Sequence, residues 1–442
     1  MIFDRSEFPP GFVFGAGTSA YQIEGGYTDG RGPSIWDSFS ATAGNTVGGD
    51  TGEIACDHYH RWAEDLDLIR DAGFDAYRFS VAWPRVIPGG TGSVNEAGLA
   101  FYDRLVDGLL ERGVKPFATL YHWDLPSALQ DLGGWLNRDV AGWFADYAAL
   151  IAKRLGDRLA SIATINEPWC VAMLSHYHGA HAPGFHDLRA MARAMHHVLL
   201  AHGEGIAALR SEGAAELGIV LNLEKCEPAS DSEADNAASE LWDGLFNRWY
   251  LGGALAGAYP LDITERLAGY LPGGWENDLG RISPPIDWLG INYYTRALLE
   301  HDPTGGLLPV RKTAGPLEKT DLDWEIYPNG LSDLLIRVGK DYAPTPIYVT
   351  ENGMAEVKGL DDERRVRFHA AHLDAVREAI AAGVDVRGYF AWSLMDNFEW
   401  AEGYSKRFGL IEVDYDTLER KPRASYRAFQ EALGGRREGS AH

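Results

Sequence analysis

Eight short runs rich in β-branched and aromatic residues recur along the chain, each bounded by Gly, Pro or Asn. They cover 12–17, 76–80, 116–121, 162–166, 219–223, 288–293, 347–350 and 388–392. Several are apolar almost throughout, as expected of parallel strands covered on both faces. Between them, apolar positions return every three or four residues. Trp62, Leu66 and Ile69 share one face, Val140, Phe144, Tyr147, Ile151 and Leu155 a second, and Val366, His369, Leu373, Val376 and Ile380 a third. Asn95 and Asp139 stand where helices begin, and Gly73, Gly113 and Gly383 just past helix ends.

Eight alternations of strand and helix predict an α/β fold. The architecture is a single (β/α)8 TIM barrel over 1–434, with long βα loops around its mouth. An open doubly wound sheet is the alternative, but no Gly-x-Gly-x-x-Gly or Walker-type loop opens a helix after any strand. The Gly/Arg-rich stretch 435–442 reads as a flexible tail.

Charge narrows the partners. The 442 residues carry 40 Lys and Arg against 64 Asp and Glu, a net charge of −24. That balance argues against nucleic acid or an anionic membrane and suits a neutral small molecule. The opening residues are read as lacking a signal core, and no apolar run approaches the ~18 residues of a membrane span. Cys56, Cys170 and Cys226 form no metal-binding or redox pair, so a reducing cytoplasm is the simplest setting. Association into a homo-oligomer stays open.

In such a barrel the side chains at strand ends converge on one mouth. Here they are Gln22, Arg78, His122, Asn166 with Glu167, Asn292 with Tyr294, Glu351 and Trp392. Polar loop residues are ordinarily solvated, and each Glu has the bland alternative of pairing with an Arg. A set of carboxylates, amides, one Arg and one His at most strand ends is harder to assign to solvent. Glu167 and Glu351 end strands on opposite sides of the ring. Glycoside cleavage needs such a pair, one carboxyl giving a proton to the leaving oxygen and the other attacking or stabilising the oxocarbenium-like centre.

The motifs around these residues resemble glycoside hydrolase family 1. Thr164-Ile165-Asn166-Glu167-Pro168 and Val349-Thr350-Glu351-Asn352-Gly353 are similar to its two signatures. So are the opening segment from Phe12 to Gly25, Arg78-Phe79-Ser80 through Arg85, and Leu120 through Pro126. Ile291-Asn292-Tyr293-Tyr294 and Asn397 through Tyr404 complete the likeness along the chain.

The resemblance implies a retaining β-glucosidase without metal or cofactor, with Glu351 as nucleophile and Glu167 as acid and then base. It also implies that Arg78, Asn292 and Tyr294 support the nucleophile. The first sugar is assigned to Gln22, His122, Asn166, Trp392, Glu399 and Trp400, with Trp392 as an aromatic floor. Trp123, Trp169, Trp324, Glu402 and Phe408, and more loosely Tyr177, are assigned to the leaving-group side. Like-charge repulsion should keep Glu167 protonated, while Arg78 and Tyr294 keep Glu351 ionised. A retaining pair sits about 5–5.5 Å apart.

Other readings fit less well. Enzymes of 6-phosphorylated sugars replace the acid at the Glu399 position, whereas here it stands, although Ser405 and Lys406 lie nearby. Myrosinase-type thioglucosidases lack the acid, and non-catalytic relatives lose one glutamate. Lys225 is the only hint of a Schiff-base aldolase and reads as a solvated loop residue. His58 with His60, and His176, His178 and His181, show no zinc spacing and read as loop and surface histidines. Cys170, close to Glu167, reads as a small buried residue rather than a modifiable thiol.

Overall fold

All eight runs are strands. They are β1 (Val13–Gly17), β2 (Ala76–Ser80), β3 (Lys115–Tyr121), β4 (Ser161–Asn166), β5 (Leu217–Asn222), β6 (Trp288–Asn292), β7 (Ile347–Asn352) and β8 (Val386–Trp392). In this computed structural model, which describes residues 2–342 and 346–434, they close in chain order into one parallel barrel. The stretch 435–442, read as a tail, lies outside the described residues.

A helix returns after each strand. These are α1 (His58–Ala72), α2 (Glu96–Glu111), α3 (Val140–Leu155), α4 (Leu188–Ser211), α5 (Glu233–Asp243), α6 (Pro328–Asp341), α7 (Glu363–Ala381) and α8 (Ala424–Gly434). On α3 the whole predicted face, from Val140 to Leu155, is buried. On α7 the middle of the face is buried and its ends, Val366 and Ile380, are half-covered. Gly73 ends α1 at a φ of +83°, a left-handed turn that favours glycine.

The barrel interior is small and separate from the core beneath the helices. Val13, Ala76, Phe117 and Phe390 form one cluster, Ala163, Val220 and Trp288 another, and Tyr348 packs against both. Gly15 is what admits the Phe390 ring, because a Cβ there would lie 2.4 Å from it.

Two strands break their alternation where it matters. In β4 both Thr164 and Ile165 face outward, Thr164 Oγ1 meeting His202 Nδ1 of α4 at 2.7 Å and Ile165 joining the outer core. The register against β5 shifts between Ala163 and Asn166. In β7 the register against β6 shifts between Val349 and Glu351, so two residues there oppose one. Each is a bulge that re-aims the side chains beyond it. Without the slip in β7, strict alternation from the outward Val349 would turn Glu351 away from the mouth.

Three sequence readings need correction. Lys225 lies in a strand (Lys225–Pro228) of a three-stranded sheet beside the mouth, with Nζ 2.8 Å from Asp333. A long aliphatic stem suits a half-covered strand, and the Asp333 carboxylate pairs with its ammonium. His58 is buried on α1 against Asp65 at 2.7 Å, and His176 is buried with Nδ1 on the carbonyl of Val171. Neither is a surface residue, since burial of a histidine is stable once a ring nitrogen finds a partner. Among the described residues no helix is long and apolar enough to cross a membrane, and the three cysteines are unpaired.

The loop after β8 is held by one buried carboxylate. Asp396 accepts from Arg423 Nη1 and Nη2 at 2.8 Å each, from Arg407 at 3.1 Å and from the Gly409 amide at 3.0 Å. Removing one member of a buried ion network strands the other charges. Asp396→Ala should therefore lose roughly 3–5 kcal/mol of stability, read from the urea unfolding midpoint. An unchanged midpoint would show that the network is dispensable.

Candidate active site

At the carboxyl ends of the strands the mouth encloses a cavity of about 480 Å³. Glu167 follows β4 and Glu351 is the penultimate residue of β7, and both line it while nearly buried, at 5 and 3 % exposed. Their partners differ in kind. Glu351 accepts from Arg78 Nη1 on Oε1 and from the Tyr294 hydroxyl on Oε2, both at 2.6 Å. Glu167 accepts from Asn292 Nδ2 on Oε1 at 2.7 Å, and its Oε2 lies 3.1 Å from the Cys170 thiol. One carboxylate has a cation and a phenol, the other an amide and a thiol.

A second tier orients the first. Arg78 Nη2 donates to Asn166 Oδ1 at 2.7 Å, and Asn292 Nδ2 donates to the same oxygen at 3.1 Å. Asn292 Oδ1 in turn accepts from Thr350 at 2.7 Å. Asn166 Nδ2 meets His122 Nε2 at 3.1 Å, which leaves the ring proton of a neutral His122 on Nδ1. Burial, helped by the charge of Arg78, holds His122 well below its ordinary pKa, so it stays neutral.

Burial is the leading influence on both glutamates. It pushes Glu167 up to about 8, with the charge of Glu351 the second cause. The sequence reading placed like-charge repulsion first, and the structure reverses that order. Burial raises Glu351 as well, while Arg78 and Tyr294 pull against it. Glu167 is therefore the member that keeps its proton near neutrality. A third carboxyl, Glu399, is pushed up to about 8 by burial and by the charges of Glu351 and Glu167.

Aromatic rings build the remaining walls. His122 stacks on Trp392 with centroids 5.7 Å apart, and Trp123 packs on Trp400 at 4.6 Å while its indole donates to the Asn166 carbonyl. Trp324, Tyr294 and Phe408 form a cluster on one flank, and Trp169 packs on Phe246 at 4.2 Å. Glu402 lines the cavity beside Trp400. Three residues here, Trp123, Glu167 and Trp400, hold φ values of +78°, +49° and +52°. Each such non-glycine conformation costs on the order of 1–3 kcal/mol and is typical of functional sites.

Several predicted residues stand behind the wall. Gln22 is fully buried, its amide nitrogen donating to Asn397 and the Phe398 carbonyl and lying 3.4 Å from Glu399. Its oxygen accepts from Ser19 at 2.6 Å. Asn166 and Arg78 are also buried there, and Tyr177 is off the cavity. Ser405 caps the Glu402 carbonyl and Lys406 donates to the Asp321 carbonyl, outside the cavity wall. Sequence reasoning missed Asn222, Phe246 and Lys312, and took His181 for a surface residue, yet all four line the cavity. Asn222 ends β5 and was legible as a strand-end polar residue. Lys312 arrives on a hairpin with no motif around it.

Residues 4–436 match the model of glycosyl hydrolase family 1. The chain belongs to that family. The likeness to relatives agrees with it at full length. A β-glucosidase of Agrobacterium sp. (strain ATCC 21400) is 47% identical over 440 residues, 97% of this chain and 96% of the relative. A bifunctional β-D-glucosidase/β-D-fucosidase of Bifidobacterium breve is 46% identical, covering 95% of this chain and 96% of its own. The family 1 β-glucosidase from Thermotoga maritima in complex with isofagomine lactam superposes with a TM-score of 0.94 at 44% identity, over 97% of this chain and 98% of that one.

A carboxyl whose pKa is raised by folding stabilises the fold below its unfolded value and loses that contribution as pH rises toward the folded one. For Glu167 the window runs from its ordinary 4.5 up to about 8. Glu167→Gln should thus melt above the parent at pH 8, with the gap closing toward pH 5. A gap independent of pH would refute the buried, protonated assignment.

Proposed function

We propose that this family 1 chain hydrolyses terminal non-reducing β-D-glucosyl residues from β-glucosides and short oligosaccharides. Fucosyl and galactosyl residues are accepted as well, and the route is double displacement through a glycosyl-enzyme intermediate. The unequal partnering of the two glutamates carries the reading. Glu351, held by a guanidinium and a phenol, suits the ionised nucleophile. Glu167, held by neutral donors and protonated by burial, suits the acid.

In the first step Glu351 Oε2 or Oε1 bonds to the anomeric carbon as the glycosidic C–O bond breaks, and Glu167 passes its proton to the departing oxygen. In the second, Glu167 takes a proton from water, the water oxygen bonds to the anomeric carbon, and Glu351 leaves as carboxylate. Asn292 donates to Glu167 and adds to the stabilisation of Glu351.

His122, Trp392, Glu399 and Trp400 are proposed to hold the first sugar, with Trp392 under its C–H face. Gln22 acts through Glu399, and Asn166 reaches the sugar from the second tier. Trp123, Trp169, Trp324, Glu402 and Phe408 shape the leaving-group side. The names of the Agrobacterium and Bifidobacterium relatives support glucoside and fucoside as substrates. Three unpaired cysteines support a reducing, cytoplasmic setting.

Proton NMR of a fresh digest of an aryl β-glucoside tests the route. The β-anomer of glucose should appear first and mutarotate later, whereas α-anomer first would exclude double displacement. Glu351→Ala should lose turnover by about 10⁴-fold or more, and added azide should then yield the α-glycosyl azide. Recovery of the β-azide, or none, would remove Glu351 from the nucleophile role.

A further inference from the structure

The hydrogen-bond polarity of the mouth can be read outward from Arg78, which donates only. Its Nη2 bonds to Asn166 Oδ1, so that atom is an acceptor, and the Asn292 atom 3.1 Å from it must be the amide nitrogen. The same nitrogen lies 2.7 Å from Glu167 Oε1. Oε1 is therefore an acceptor whether Glu167 is charged or not. That leaves Oε2 as the oxygen free to carry and release the exchangeable proton.

Oε2 has one side-chain partner, Cys170 Sγ at 3.1 Å. Cys170 sits three residues beyond the glutamate, 5 % exposed on the cavity wall, and its sulfur also lies 3.6 Å from Asn222 Nδ2. Asn222 Oδ1 is buried without a partner, so that amide is free to keep its nitrogen on the sulfur. A guanidinium or an amide N–H could serve Oε2 only while it accepts. A thiol does both, donating S–H to a carboxylate and accepting through sulfur from a carboxylic acid.

We propose that Cys170 is a positioning residue for the acid/base, the reversible partner that keeps Oε2 of Glu167 aimed at the leaving oxygen in both halves of the cycle. It rests on the reading of Glu167 given above. The burial that makes Cys170 a weak acid keeps the thiol a thiol, which the role requires.

The test compares kcat/KM against pH for Cys170→Ala, Cys170→Ser and Glu167→Ala, using 2,4-dinitrophenyl and phenyl β-glucosides. Without the thiol, the carboxylate loses a donor and holds its proton to higher pH. The alkaline limb of Cys170→Ala should therefore move up by about half a pH unit. The phenyl glucoside should lose roughly tenfold more than the dinitrophenyl one, because its departure needs protonation. Cys170→Ser, which also donates and accepts, should restore both quantities. An unmoved limb with equal losses on the two substrates overturns the role of Cys170, provided Glu167→Ala still separates them. If Glu167→Ala fails to separate them, the acid reading itself has failed.

Discussion

A guanidinium carries donors and no acceptor, so each side-chain atom that meets Arg78 has to present an acceptor. Two atoms do, Glu351 Oε1 and Asn166 Oδ1. From this constraint the orientation of both asparagines, the tautomer of His122 and the accepting role of Glu167 Oε1 follow in sequence. The ion pair is buried, so its desolvation makes it a poor source of net stability. Its value lies in polarity. One fixed donor behind the wall imposes a single hydrogen-bond direction on a mouth lined by five carboxyls, Glu167, Glu224, Glu351, Glu399 and Glu402.

That polarity works only because the backbone delivers the side chains to it. The bulges in β4 and β7 turn Glu167 and Glu351 inward, and left-handed residues at Trp123, Glu167 and Trp400 complete the aim. The Asp396 network and the bond from Gln22 hold the loop that carries Glu399 and Trp400. Strain at the mouth is thus opposed by packing and buried ion pairs around its perimeter.

Much of this was legible in the sequence, for physical reasons that differ by layer. The strands were visible because parallel strands buried on both faces lose polar positions, and the ends shifted by only one or two residues. The two glutamates were visible because polar residues at the ends of apolar strands have nowhere else to point. The bulges were not, since a one-residue slip leaves composition and spacing unchanged. Nor was the burial of Gln22, because an amide satisfied by Asn397, more than three hundred residues away, has no local mark. Lys312 and Phe246 come from elements whose approach to the mouth is decided by tertiary packing. The order of causes at Glu167 was also hidden, as desolvation is a property of the assembled wall.

The bulges also limit how such a chain can vary. A bulge counts whole residues, so it is either kept or lost, with no partial state between. Substitutions near the mouth can alter rate or preference by degrees. A single-residue deletion within 163–166 or 349–352 would instead rotate a glutamate to the helix side of its strand while the barrel still closed. A length change that spares both glutamates has to fall in the loops beyond the strand ends. Insertion there leaves the two glutamates proposed to cut the bond locked in phase.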